Sequence, residues 1–233
     1  ARLYAEDPEK GFLPSTGTGL SFVAARQAFQ DLPGAPEVRY PDFAVLLPLR
    51  ESQKMAPGVQ GAFYTIIGIV NAGLGQKGQK SFLPGSEVHR GITLHTARYL
   101  PPTEGEMEGR ESLPPRFNFS PTVAVVKETL VVGSTSRIVK DLIDGSGGTE
   151  AVPAGCRALL QLRGPEIRRI LEENREVLVA NRMLEAGLKR VAAEREIDGL
   201  LALAGTVDGI DLRLDEGANT VGVTLDLGTG GAR

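Results

Sequence analysis

The sequence predicts an α+β protein: an antiparallel sheet with helices mainly on one side, built from two related β-α-β-β units. Three observations predict it. Short apolar runs of strand length, Phe43–Leu49, Val123–Val126 and Ala158–Leu162, are bounded by charges or turn residues. Between them lie segments whose apolar residues recur at helical spacing, Ala56–Leu74 and the stretch after Pro165. The order also repeats. Val45-Leu46-Leu47-Pro48-Leu49-Arg50 matches Ala158-Leu159-Leu160-Gln161-Leu162-Arg163. Gly91-Ile92-Thr93-Leu94 matches Gly209-Ile210-Asp211-Leu212, and Thr122-Val123-Ala124-Val125 matches Thr220-Val221-Gly222-Val223. The expected organisation is an irregular segment with a short helix over 1–42, a first unit over 43–145 and a second over 155–228. Two amphipathic half-sheets of this kind can align into one larger sheet.

Taken in order, residues 1–19 are rich in turn formers and read as irregular. Ser21 can cap a short helix carrying Phe22, Ala25, Phe29 and Leu32 on one stripe, stopped by Pro33-Gly34. Phe43–Leu49 reads as a buried strand, with Pro48 marking an edge or a bulge. Ala56–Leu74 reads as a core helix with Pro57 in its first turn. Nineteen helical residues approach bilayer thickness, but Gln60, Thr65 and Asn71 interrupt the run and no basic cluster flanks it, so a membrane span is not expected. Glu87–Leu100 reads as one strand, and Pro101–Arg116 as a long mobile loop.

Val123–Val126 and Leu130–Val132, joined by Lys127-Glu128-Thr129, form an expected hairpin. Ser134-Thr135-Ser136 then caps a short helix through Ile138, Leu142 and Ile143, and Gly145–Gly155 is a connector. Ala158–Leu162 is a strand, and Pro165 opens a helix with Ile167, Ile170, Leu171, Leu178, Leu184, Leu188 and Val191 as its stripe. Arg168/Glu172 and Arg169/Glu173 are charge pairs on its outer side. A further helix covers Glu194–Ala204. The closing hairpin pairs Ile210–Leu214 with Val221–Leu227 and has one dry and one wet face.

The scarce residues narrow the chemistry. With 26 basic and 29 acidic side chains the net charge is −3, and aromatics are 5% with no Trp, which argues against a nucleic-acid partner. Cys156 is the only cysteine, so it supports neither an intrachain disulfide nor a multi-thiolate metal site and reads as a buried structural thiol. His89 and His95 are the only histidines; in one strand their even spacing places them on one face about 20 Å apart, too far to share a metal ion. Gly133-Ser134-Thr135-Ser136 lacks the lysine of a phosphate loop and reads as a helix cap. Asp208, Asp211, Asp215 and Glu216 lack calcium-loop spacing and read as solvated charges. Asn118-Phe119-Ser120 matches the glycosylation triplet, weakened by Pro121. No catalytic residue, metal ligand or cofactor is indicated.

Two stretches carry family likenesses. Arg2-Leu3-Tyr4-Ala5-Glu6-Asp7-Pro8 and Gly11-Phe12-Leu13-Pro14-Ser15-Thr16-Gly17 resemble a stretch of biotin carboxylases, whose ATP-binding part has no counterpart in this sequence. Asn118–Gly145, with the helical region and closing hairpin, is similar to a divergent group of exported bacterial proteins of unknown function. That likeness implies an envelope location and a non-catalytic role. The chain begins at Ala1 rather than Met, so a trimmed or processed segment is expected.

Together these readings favour a non-enzymatic structural or interaction module, with self-association or a protein partner, of a bacterial envelope or surface assembly. The alternatives are a hydrophobic-ligand carrier, with the ligand between the sheet and helix 56–74, and an enzyme such as a hydrolase or a carboxylase fragment. The residues expected to face a ligand or partner are Phe63, Ile66, Ile67 and Val70.

Overall fold

The computed structural model describes residues 20–30, 32–145, 156–216 and 221–229. They confirm the α+β class and divide into two compact units, Ala1–Pro36 with Pro41–Gly148, and Glu37–Tyr40 with Thr149–Arg233.

In the first unit the strands are β1 (Ser21–Ala25), β2 (Asp42–Pro48), β3 (Leu83–His89), β4 (Ile92–Arg98), β5 (Thr122–Val126) and β6 (Thr129–Gly133). They form one antiparallel sheet in the order β1-β2-β6-β5-β4-β3. Helix α1 (Ser52–Gln76) follows β2, the short α2 (Glu104–Met107) follows β4, and α3 (Ser136–Ile143) follows β6. The period-2 alternation of the strands sends their side chains into two cores. Leu49, Val59, Val123 and Leu130 form one with Phe63 of α1; Ala44, Leu94, Ala124, Val131, Ile138 and Val139 form the other under α3. Neighbours such as Val123 and Ala124 therefore face opposite ways, and α1 and α3 lie on opposite faces of this sheet rather than both on one side. Burial on both faces explains why β5 reads as a continuous apolar run.

The second unit comprises β7 (Cys156–Arg163), α4 (Gly164–Glu173), α5 (Arg175–Ala186), α6 (Arg190–Thr206), β8 (Val207–Glu216) and β9 (Val221–Thr229). Its sheet is antiparallel in the order β7-β8-β9. Val179, Ala193, Ile197 and Leu201 make a helix-only core, joined by Leu171, Leu178, Met183 and Leu188. Asn174, between α4 and α5, binds the backbone N–H and carbonyl of Arg39, each at 2.8 Å, and so holds segment 37–40 to this unit. Gly164 is required where α4 meets β8, because a Cβ there would stand 1.7 Å from the Val207 carbonyl oxygen.

Several expectations change. Ser21–Ala25 is an edge strand and not a capped helix: Phe22 and Val23 suit a pleated surface, Ser21 pairs with Leu46, and Phe22 stacks on Phe43 at 6.1 Å. Glu87–Leu100 is two strands, because Arg90 (φ 48°) and Gly91 (φ 79°) make a two-residue hairpin turn between His89 and Ile92. Lys127 (φ 54°) and Glu128 make the same kind of turn between β5 and β6, with Thr129 already in the strand.

Helix α1 starts at Ser52, so Pro57 lies inside it. Residues 101–116 hold α2, capped reciprocally by Thr103 and Glu106, and the buried Leu113. The stripe after Pro165 spans three helices, broken at Asn174 and at Gly187 (φ 63°), and Leu184 and Val191 point outward at 83% and 61% exposure. Strand–helix–strand–strand order occurs in both units, but β7 pairs with β8 whereas β2 pairs with β1 and β6, and the strands form two sheets rather than one. Residues 1–19, residues 146–155 and the side chains of Cys156, Asp215 and Glu216 lie outside the described residues.

Candidate functional site

The two histidines, the natural starting point for chemistry, are on opposite faces. The Arg90-Gly91 turn places His89 beside Ile92, on the α3 side, and His95 opposite Val123, on the α1 side. His89 Nε2 lies 2.8 Å from Asp144 Oδ1, and Arg90 shares that carboxylate. His95 Nδ1 lies 3.2 Å from the Tyr64 hydroxyl, which donates to the Gly85 carbonyl at 2.9 Å. Burial lowers the His95 pKa below 6.5. The single face and the 20 Å separation expected from an unbroken strand are thus corrected by the turn. Among the described residues no group of three His, Cys, Asp or Glu side chains is placed to hold a metal ion.

The four candidate residues of α1 do not share an environment. Phe63 and Ile67 turn onto the sheet, Ile67 at 5% exposure, while Ile66 (52%) and Val70 (40%) are exposed. At 100° per residue the four share one stripe about 100° wide, of which only the Phe63–Ile67 side meets the sheet. A cleft of about 350 Å³ opens between α1 and β3, lined by Tyr64, Ile67, Asn71 and Pro84–Ser86. Only Ile67 of the four reaches it. Asn71 closes one side by binding both backbone groups of Phe82, at 2.7 and 2.8 Å.

The Gly133-Ser134-Thr135-Ser136 segment is a cap, as its composition indicates. Thr135 Oγ1 accepts from the Ile138 N–H at 3.4 Å and donates to Asp42 Oδ1 at 2.9 Å. Ser134 pairs with Phe43 twice, its N–H on the carbonyl and its hydroxyl taking the N–H. Asp42 is only 2% exposed, with Arg137 Nη1 3.8 Å from its second oxygen. Burial pushes the Asp42 carboxyl up to about 6, outweighing the Thr135 hydrogen bond and Arg137, which pull it down. Asn118 of the glycosylation triplet is 1% exposed and donates to the Pro115 carbonyl, so its amide is not presented to solvent.

Two features go beyond the local signals of the sequence: a cleft that no motif marks, and a dry face that the closing hairpin predicts without predicting its exposure. One is a larger cleft of about 560 Å³ on the α3 side, framed by Gln27, Ala28, Phe29 and Leu32, by β3 and β4, and by the first turns of α3. It unites segments over a hundred residues apart, so no local motif announces it. The other is the apolar face of the three-stranded sheet. Register places Leu160, Leu212 and Leu225 in one row and Leu162, Ile210 and Leu227 in the next, all on one face with Val223. Leu160, Leu212, Val223, Leu225 and Leu227 are 37–68% exposed. The expected dry face of the closing hairpin is therefore present and uncovered. Of the acidic residues of β8, Asp211 stands opposite Asp226 of β9 on the other face of the sheet, and the register shift between Val207 and Gly209 interrupts the alternation at Asp208.

By fold and surface this is an α+β protein of two compact units, one with a layered sheet and one with an open apolar sheet face. Compared with protein families, with curated proteins and with solved structures, the chain matches none. Within the described residues no helix is long and apolar enough to cross a membrane.

Proposed function

We propose that the chain is a non-catalytic interaction module that self-associates through the apolar face of β7, β8 and β9. The observation that carries this reading is the row of Leu160, Leu212, Val223, Leu225 and Leu227, each more than a third exposed on one sheet face. These five side chains present on the order of 400 Å² of apolar surface, at the size where patches on soluble proteins become interaction sites. Leu160, Leu162, Ile210, Leu212, Val223, Leu225 and Leu227 are all uncharged, so the complement of their rows is apolar, and the same rows of a second copy supply one about a two-fold axis. Sheets stacked in this way pack about 10 Å apart. The burial amounts to roughly 800 Å² for the pair, at the transient end of the range, so the dimer is weak. The likeness of Asn118–Gly145 to exported bacterial proteins supports placing the module in an envelope or surface assembly.

Sedimentation equilibrium over a hundredfold concentration range tests the reading. The expected result is a reversible monomer–dimer equilibrium, abolished by Leu225→Asp with unchanged far-UV circular dichroism. A monomer at every concentration, or dimerisation equally strong in the variant, overturns it.

A further inference from the structure

The α3 side of the first sheet is only partly covered. Helix α3 has eight residues, about 12 Å of length, and packs over β2, β5 and β6. Its cover stops short of the sheet's other edge. Counting in twos from Leu94, which faces α3, puts Thr96 and Arg98 of β4 on this side. Their partners on β3, Gly85 and Leu83, share it, as does Glu87 opposite Leu94. These positions floor the cleft of about 560 Å³, within the usual range for small-molecule sites, roughly 300–1,000 Å³.

The lining has two characters. Phe29, Leu32 and Phe119 supply apolar wall. The charged lining is Arg98, Arg137, Lys140 and Glu87, three cations to one carboxylate in a chain whose net charge is −3. Glu87 holds Lys140 at 2.8 Å, and Asp141 lies 3.6 Å from Arg137. Arg98 is exposed and has no carboxylate partner among the described residues. One cation thus remains uncompensated, which suits a monoanion. Gln27 also lines the cleft at 8% exposure; its Nε2 donates to the Asn118 carbonyl, leaving Oε1 buried without a donor.

We propose that this cleft binds a small amphipathic carboxylate, with its acid group on Arg98 and its apolar body against Phe29, Leu32 and Phe119. The site is independent of the sheet face on β7–β9 and stands or falls separately. The Arg98 guanidinium can hold both oxygens of a carboxylate at once.

The test is titration of the full chain with decanoate, and with decanol as the uncharged counterpart, followed by backbone NMR shifts and calorimetry. Expected are saturable decanoate binding with shifts at residues 27–29, 32, 83–87, 96–101 and 136–140. Arg98→Gln, an exposed change that leaves the cores intact, then weakens decanoate binding about tenfold and leaves decanol binding unaltered. Lys54→Gln, on the far side of α1, serves as the charge-matched control and changes nothing. No saturable binding at millimolar decanoate overturns the proposal. So does equal binding by the Arg98→Gln chain, or shifts confined to α1 or to β7–β9.

Discussion

Replacing Asp42 by Asn should make the protein less sensitive to pH in a direction opposite to ordinary acid unfolding. Asp42 is 2% exposed, and burial raises its carboxyl from 3.8 to about 6. Because the folded-state value lies above the unfolded one, the folded protein binds the proton more tightly. Its contribution to stability is full below pH 4 and is lost as pH rises through about 6. A rise of about two units corresponds to roughly 3 kcal/mol. Asn keeps an acceptor for the Thr135 hydroxyl and has nothing to ionise.

The assay is urea unfolding of both proteins from pH 3.5 to 8, read as the difference in unfolding free energy at each pH. Differencing removes the other carboxylates, Asp141 among them, and the constant charge of Arg137. Relative to Asp42→Asn, the natural chain should lose roughly 3 kcal/mol across the window, most of it between about pH 4 and 6. A difference that stays flat, or that grows in favour of the natural chain as pH rises, refutes the reasoning.

Four further outcomes are expected. Thr135→Val removes both the cap on Ile138 and the donor to Asp42, so thermal melting should show a loss of about 1 kcal/mol. The same variant should carry the pH window of Asp42 upward, since the lost hydrogen bond is one that lowers its pKa. Gly133→Ala places a Cβ 2.5 Å from Val139 Cγ2 and 3.0 Å from Ile138 Cγ2; chemical denaturation should show destabilisation of about 1–3 kcal/mol from overpacking. In an NMR titration His95 should lose its proton at a pH below 6.5, because burial disfavours its charged form.

Local signals were legible where one short segment carries the whole instruction. The Val123–Val132 hairpin, the Thr135 cap and the alternating pair at the chain's end follow from neighbouring residues, and the structure has each. The hairpin within residues 83–98 was hidden because only Arg90-Gly91 marks its turn, and strand-forming residues continue on both sides. The helix expected from Ser21 failed for another reason. Phe22 fits a helical stripe as well as a strand, and its pairing with Val45 decides between them.

The candidate α1 residues show the same limit: periodicity marked a core helix but not how much of its surface the sheet covers, and Ile66 and Val70 stand outside that cover. What the order of residues determined by itself was the class, those strands and helices whose whole signal is local, and the scarcity of proton-transferring side chains. Tertiary structure alone decided which strands are neighbours, that the histidines face apart, that Asp42 is dry and that the last sheet is uncovered. Each of these depends on contacts between residues distant in sequence. Propensity and periodicity describe a segment against water, whereas burial and pKa describe it against whatever the fold brings beside it.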